Sequence, residues 1–288
     1  MTGFAGDMWD DAWLYDLENA DDPEFDLAFW SGVVRRLRPS RVLELACGTG
    51  RLTLPLARVG VEAFGSEFSI VGLDSSRAFL SEASSRVGGE PESVRAAVSF
   101  VEGDMRAPSS GSPFASAGAV AEPAGVAGPF DLVIVPFSSL AYLISAADRA
   151  ATLRAARSLL AEGGCFALDL IAPRYDLLAE ATVVPPVVRM DADHAAPALG
   201  VRRLIRTSTD RFDPATQTLS SVNRYEIHRT EGTVEHRITD LDWHIWFPSE
   251  LELALEGAGL AVSERFGGYD GSPWHADARR MLWLCTAR

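Results

Sequence analysis

The chain of 288 residues contains no lysine; all 26 basic residues are arginine. That absence excludes Schiff-base and lysine-nucleophile chemistry, and with the abundance of Ala, Gly and Pro it points to a GC-rich bacterial coding sequence. Cysteine is scarce. Cys47, Cys165 and Cys285 are far apart, odd in number and without a C-x-x-C pair, which reads as reduced, buried thiols rather than a disulfide frame or a zinc site. The five histidines, His194, His228, His236, His244 and His275, show no metal-ligand spacing, so no metal is expected. No apolar run approaches the ~18–20 residues of a membrane span. The first residues, Met1 to Asp7, lack the basic and apolar regions of a secretion signal, and a soluble, cytoplasmic protein is expected. A formal net charge of −14 argues against a nucleic-acid partner, because phosphate binding relies on clustered cations.

What is present is organised around residues 41–58. A short apolar run, Arg41-Val42-Leu43-Glu44-Leu45, breaks into Ala46-Cys47-Gly48-Thr49-Gly50, and Arg51 to Arg58 resumes with apolar residues at helical spacing. This reads as strand, tight turn, helix. In such a unit glycine lets the backbone approach a ligand closely, and the helix N-terminus aims unpaired N–H groups at it. The dinucleotide fingerprint G-x-G-x-x-G fails here, because Thr53 stands where the third glycine belongs. Glu44-x-Ala46-Cys47-Gly48-Thr49-Gly50 instead resembles the E-x-(G/A)-C-G-T-G signature of class I S-adenosylmethionine-dependent methyltransferases.

The resemblance implies a Rossmann-like, doubly wound α/β fold with a seven-stranded sheet whose last strand is antiparallel. It implies S-adenosyl-L-methionine as cofactor, S-adenosyl-L-homocysteine as product, and a small-molecule acceptor, with no membrane and no nucleic acid; monomer and homodimer both stay open. Carried over residue by residue, Glu44 helps to place the amino-acid part of the cofactor, and Ala46, Gly48 and Gly50 supply the turn. A second strand over Ile70–Leu73 ends in Asp74, followed by Ser75. A carboxylate there can accept from both ribose hydroxyls, or it can act as a helix N-cap, and the sequence does not separate the two. Gly103-Asp104-Met105-Arg106 closes a third strand, where the family brackets adenine with Asp104 and the Met105 backbone. Tyr15-Asp16 and Phe29-Trp30 match family pairs on helices over the cofactor, with Trp for Tyr at Trp30. Pro136-Phe137-Ser138-Ser139-Leu140 is the loop that passes the transferring methyl, and Ser138 stands where the family has Asn.

Around this core the pattern predicts an N-terminal helical lid (1–38), a cofactor-binding core (39–173), an inserted antiparallel β cap (174–247) and a C-terminal return to the core (248–288). Gly60 is expected to end the first core helix, with a loop over Val61–Glu67, and residues 107–128 read as a surface loop. Three strands, 201–212, 218–230 and 233–247, make the cap. On the last of these, His244 and Trp246 share one face and Trp243 the other. Methyl transfer needs alignment and a dry pocket; the accepting atom can be N, O or C, an amine would have to arrive neutral, and a base would help a phenol, a hydroxyl or an indole-like carbon, with His244, Asp169, Tyr225 and His275 as the candidates. Trp243, Trp246, Trp274 and Tyr225 suggest a flat aromatic acceptor or ordinary cap packing. Two other readings compete, a nicotinamide-dependent dehydrogenase and a cofactor-binding regulator without turnover.

Overall fold

The computed structural model of the protein describes residues 11–20, 25–114 and 126–288. The chain divides into two compact units, one built from 24–172 with Trp246–Arg288, the other from 1–23 with Pro173–Ile245. Helix α1 (Ala12–Glu18) belongs to the second, smaller unit. The larger unit then runs α2 (Leu27–Leu37), β1 (Arg41–Leu45), α3 (Thr53–Phe64), β2 (Ser69–Asp74), α4 (Arg77–Val87), α5 (Glu92–Ala97), β3 (Val98–Glu102), β4 (Ser112–Phe114), β5 (Phe130–Val135), α6 (Ala146–Leu159) and β6 (Leu160–Ile171). The smaller unit follows with α7 (Tyr175–Glu180), β7 (Val188–Ala196), β8 (Val201–Asp213), β9 (Thr218–Arg229) and β10 (Val234–His244). The larger unit is completed by α8 (Pro248–Gly257), β11 (Leu260–Phe266) and β12 (Arg280–Ala287).

The large sheet has the order β11-β12-β6-β5-β1-β2-β3-β4. It contains the seven strands expected, with β12 antiparallel to β6 and to β11, and adds β4 as a short antiparallel edge on β3. That edge lies inside the stretch expected to be loop. Its three residues are too few for a periodicity that could be read from sequence.

The central strands are apolar throughout because helices cover both faces. Alternate residues of β5 show it: Val133 and Val135 pack with α6 and α8 through Leu153, Ala156, Leu251 and Leu255, while Leu132 and Ile134 join Trp30, Leu54, Ala57 and Leu80 from α2, α3 and α4. Two expectations on this side are corrected. Gly60 does not end α3. The helix continues to Phe64 and is closed by Gly65 at φ +65°, while a Cβ on Gly60 would lie 2.4 Å from the Phe68 ring. Gly60 is therefore a seat for an aromatic ring rather than a stop, and the supposed loop before β2 is mostly helix. Likewise the Gly163-Gly164 pair, expected from sequence to close the helix over 148–160, does not end an element; β6 runs through it, with a register shift against β5.

The small sheet has four strands, β10-β9-β8-β7, all antiparallel. The missed one, β7, is an edge strand broken by register shifts and largely exposed, so its sequence shows no clean alternation. The last strand stops at His244 rather than Phe247. The lid expected over 1–38 is divided between the units. Leu14 and Leu17 of α1 pack on Val201, Leu204, Tyr225 and Ile227 of the small sheet, whereas Phe29, Trp30, Val33 and Val34 of α2 belong to the large core. Asp22 and Pro23, whose residue types suit the N-cap and first position of the second N-terminal helix, lie outside the described residues.

Candidate active site

The turn after β1 is built from left-handed backbone. Ala46 (φ 59°), Gly48 (φ 58°) and Gly50 (φ 74°) all have positive φ, a region that glycine enters without strain and alanine does not. The turn is tied to β2, since Cys47 N–H donates to Leu73 O at 3.0 Å and Gly50 N–H to Cys47 O at 3.1 Å. Gly72 makes room for it; a Cβ there would lie 2.8 Å from the Phe100 ring and 2.9 Å from Cys47 Sγ.

Asp74, at the tip of β2, accepts the Gly48 N–H on Oδ2 and the Ser76 N–H on Oδ1, both at 2.8 Å. The N-cap of α4 is Ser76, whose side chain accepts from Phe79 N–H. The N-cap role open for Asp74 in the sequence thus belongs to its neighbour, and Asp74 braces the turn; Ser75 lies between them. The Ser75 backbone bonds the same carboxylate, while burial raises its pKa. Glu44 is buried in β1, beneath the start of α3, and accepts the Thr53 hydroxyl at 2.6 Å; burial pushes its pKa up to about 8. Asp104 and Met105 follow β3 on the same sheet edge. The Asp104 carboxylate is engaged by Arg106, whose Nε donates at 2.8 and 2.9 Å, and this pair holds its pKa below the usual carboxylate range.

The loop after β5 is held from β6. Pro136 is buried, and Phe137 and Ser138 follow at φ 56° and 59°. Their N–H groups donate to Asp169 Oδ2 and Oδ1 at 2.9 and 3.0 Å. The Tyr269 hydroxyl donates to the same carboxylate at 2.6 Å and Arg280 at 3.2 Å. The Ser138 hydroxyl accepts the Ile171 N–H at 3.0 Å. The rings of Phe25, Phe137 and Tyr269 gather here, with the Arg51 guanidinium over Phe25 and Phe137. Arg51 also makes a two-point ion pair with the fully buried Asp26, at 2.7 and 2.9 Å.

The expected base candidates are divided between the units, Asp169 and His275 in the larger, Tyr225 and His244 in the smaller. Asp169 is fully buried and accepts from four donors, so it holds the loop. Tyr225 lies in the small unit, where its hydroxyl donates to Glu18 at 2.5 Å; burial, then the Glu18 charge, raises its pKa, the wrong direction for a base. His244 is buried at the end of β10. His275 is exposed, its Nδ1 accepting from Asp277 N–H at 3.2 Å. Trp246, expected beside His244, is in the core of the other unit with Arg149 over its ring. Trp30 is interior, edge-on to Phe29, and Tyr15 lies on α1 of the small unit. Sequence reasoning missed Asp26, Tyr269 and Arg280, which are far apart along the chain and belong to no motif.

The remaining motif residues fit the expected cofactor. Glu44, Ala46, Gly48, Gly50, Asp74, Ser75, Asp104 and Met105 stand at the carboxyl ends of β1, β2 and β3, three neighbours in one parallel ladder, and Pro136 ends β5 beside β1. At Gly50 a Cβ would press to 3.3 Å on Ala83. Asp74 stands at the tip of β2, where the ribose is expected, and the Trp30 indole N–H is buried without a partner among the described residues. Among those residues no group of three or more His, Cys, Asp or Glu stands ready for a metal ion, and no helix is long and apolar enough to cross a membrane.

Comparison with known proteins gives the same family. A methyltransferase-domain family matches residues 43–166. YqeM of Bacillus subtilis, a protein named as a methyltransferase, is 30% identical over 130 residues; the match covers 45% of this chain and 42% of that relative, less than half its length. An S-adenosylmethionine-dependent methyltransferase from Clostridium acetobutylicum shares the fold at 17% identity and TM-score 0.68, over 96% of this chain and 97% of that one. The sugar N-methyltransferase KedS8 from Streptoalloteichus does so at 21% identity and TM-score 0.67, over 100% of this chain and 97% of that one. Family match, sheet topology and cofactor-turn geometry agree: residues 43–166 are a methyltransferase domain, set in the fold of S-adenosylmethionine-dependent methyltransferases, and S-adenosylmethionine is the cofactor this family uses.

Proposed function

We propose that the protein transfers the methyl group of S-adenosylmethionine to a nitrogen atom of a small-molecule acceptor. When bound, the cofactor supplies an electrophilic methyl group on a sulfonium. A neutral amine needs no base before it attacks, whereas a phenol or alcohol does. The observation that carries this reading is Asp169. It is the β6 carboxylate that holds the 136–140 loop, and the roughly four lone-pair sites of a carboxylate are already taken by Phe137, Ser138, Tyr269 and Arg280. What these residues contribute is alignment: a loop fixed at both ends beside a cluster of aromatic rings, which excludes water and orients the acceptor.

That a protein of similar fold is named a sugar N-methyltransferase supports nitrogen as the accepting atom. A flat indole or phenolic acceptor draws less support, since Tyr225 and Trp246 are committed to interior packing. A role in bacterial specialised metabolism is part of the proposal and rests on the small-molecule acceptor and the lysine-free composition. The test is a panel of matched amines and phenols incubated with methyl-labelled cofactor. Label in amines is the expected result; label confined to phenols would refute nitrogen transfer.

A further inference from the structure

In the smaller unit, Val201 and Leu204 of β8 are both fully buried, and both cluster with Leu14 and Leu17 of α1. They stand three residues apart, and strict alternation would send them to opposite faces of the sheet. The strand meets this with one extra residue. Val201 pairs with Arg229 and Arg203 with His228 on β9, while on β7 Ala196 pairs with Val201 and His194 with Leu204. Arg202 is thus bulged out of both ladders. A bulge re-aims side chains, and the successive residues Arg202 and Arg203 line one and the same pocket.

That pocket has a volume of about 510 Å³ and is lined by Asp193, His194 and Ala195 of β7, Arg202 and Arg203 of β8 and His228 of β9. Two guanidinium groups and two imidazoles gathered in one place stand out in a chain whose formal net charge is −14. The acid in the lining is Asp193, which accepts from Arg203 at 2.7 and 2.6 Å. Glu226, two residues along β9, accepts from His228 Nε2 at 2.5 Å, and His194 Nε2 donates to Leu17 O at 3.1 Å. Arg202 makes no hydrogen bond or ion pair with any described residue, so its charge is uncompensated. The Arg203–Asp193 pair is exposed, at 50% and 38% of its side chains, and such a pair holds its partners weakly.

We propose that this pocket binds the phosphate group of a phosphorylated small molecule. A guanidinium is a planar fork of N–H donors that meets phosphate oxygens two at a time, and two successive arginines offer two forks. A carboxylate would be satisfied by one. Arg202 takes the phosphate without giving up a partner, and Arg203 turns to it from Asp193, exchanging an acceptor of one charge for one of roughly two. The volume falls within the roughly 300–1,000 Å³ of small-molecule pockets, which leaves room for the group that carries the phosphate. Net negative charge opposes an extended polyanion such as a nucleic acid. The site is formed within the smaller unit alone, and methyl transfer is not needed for it.

The test titrates the full-length protein with phenyl phosphate, with benzoate as the matched carboxylate and sodium chloride at equal ionic strength as the control. Proton NMR reads the C2–H signals of His194 and His228, which His194→Gln and His228→Gln assign among the five histidines. Phenyl phosphate is expected to shift both signals saturably, and benzoate to bind about tenfold or more weakly. Arg202→Ala is expected to weaken phenyl phosphate by about tenfold or more, and Arg202→Lys, which keeps the charge but loses the fork, to restore only part of that. Arg203→Ala supplies the second reading if the first variant misfolds. Shifts no larger than those in chloride would reduce the effect to screening and overturn the site. Equal binding of benzoate would overturn phosphate as the recognised group, and full affinity in both folded arginine variants would overturn the arginine pair as its holder. Phosphatidic acid vesicles that bind more tightly than phenyl phosphate and displace it would move the phosphate to a lipid surface and overturn the small-molecule ligand.

Discussion

Asp169 Oδ1 accepts the backbone N–H of Ser138 at 3.0 Å, and Arg280 bridges that same oxygen, at 3.2 Å, to the Ser138 hydroxyl at 3.4 Å. Left-handed backbone at two successive non-glycine residues, Phe137 and Ser138, costs about 1–3 kcal/mol at each, and it persists here because a buried carboxylate gathers both N–H groups. Asp169→Asn keeps the shape and removes the charge, leaving the partly buried Arg280 without it. A loss of about 3–5 kcal/mol in unfolding free energy is expected, with a fall in kcat. Denaturant titration with an assay of the folded variant measures both, and a change under 1 kcal/mol would remove Asp169 from this role.

Asp74 is expected to matter for cofactor more than for acceptor. Asp74→Ala should weaken S-adenosylhomocysteine binding by about 1.5–3 kcal/mol, the scale of hydrogen bonds to a charged group. Calorimetric titration reads this directly. Part of the loss comes through the turn, because the Gly48 and Ser76 N–H groups lose their acceptor as well.

Glu44 makes stability depend on pH. Its folded pKa is raised from about 4.5 to about 8 by burial, so the folded state holds a proton that the unfolded chain releases. The stabilisation is fully present below about pH 4.5 and is lost as pH rises towards 8, with a slope of at most about 1.4 kcal/mol per pH unit. The raised pKa of Asp74 acts in the same sense. Glu44→Gln, which can still accept from Thr53, should flatten the decline in melting temperature between pH 5 and 8. Identical pH profiles for variant and wild type would contradict the assignment.

Gly60→Ala tests why a glycine sits inside a helix. In an exposed helix this change stabilises by about 1 kcal/mol. Here the new methyl would meet the buried Phe68 ring at 2.4 Å, and a destabilisation of about 1–3 kcal/mol is expected from overpacking. The sign of the shift in the unfolding midpoint decides it.

Asp26 and Arg51 join α2 to the first residue beyond the cofactor turn. Their side chains are 0% and 10% exposed, so the pair is screened little by solvent. A double-mutant cycle with Asp26→Asn and Arg51→Met is expected to give a coupling of about 1–3 kcal/mol, with weaker cofactor binding in each single variant. Additive single effects would show that the two act independently.

Much of the cofactor half was legible because its signals are local. The turn at 46–50 needs small residues in left-handed backbone, and Glu44, Asp74 and Asp104 stand at strand ends a few residues from their turns, so spacing alone places them on one edge of a parallel sheet. Local signals misled at Gly60 and at Gly163-Gly164, where glycine yields to a neighbouring ring or to a register shift rather than ending an element. The edge strands β4 and β7 were invisible for a related reason: a strand paired on one side only, or bulged, has little need of alternation.

The sequence by itself determined the resemblance to a methyltransferase domain, the cofactor turn and the order of sheet and insertion, because each is written in residues close together along the chain. Tertiary structure alone decided what Asp169 does, since its partners Phe137, Ser138, Tyr269 and Arg280 come from three separate segments. It also decided that α1 packs with the small sheet while α2 joins the large core, which hydrophobic periodicity cannot reveal because both helices show the same kind of apolar stripe.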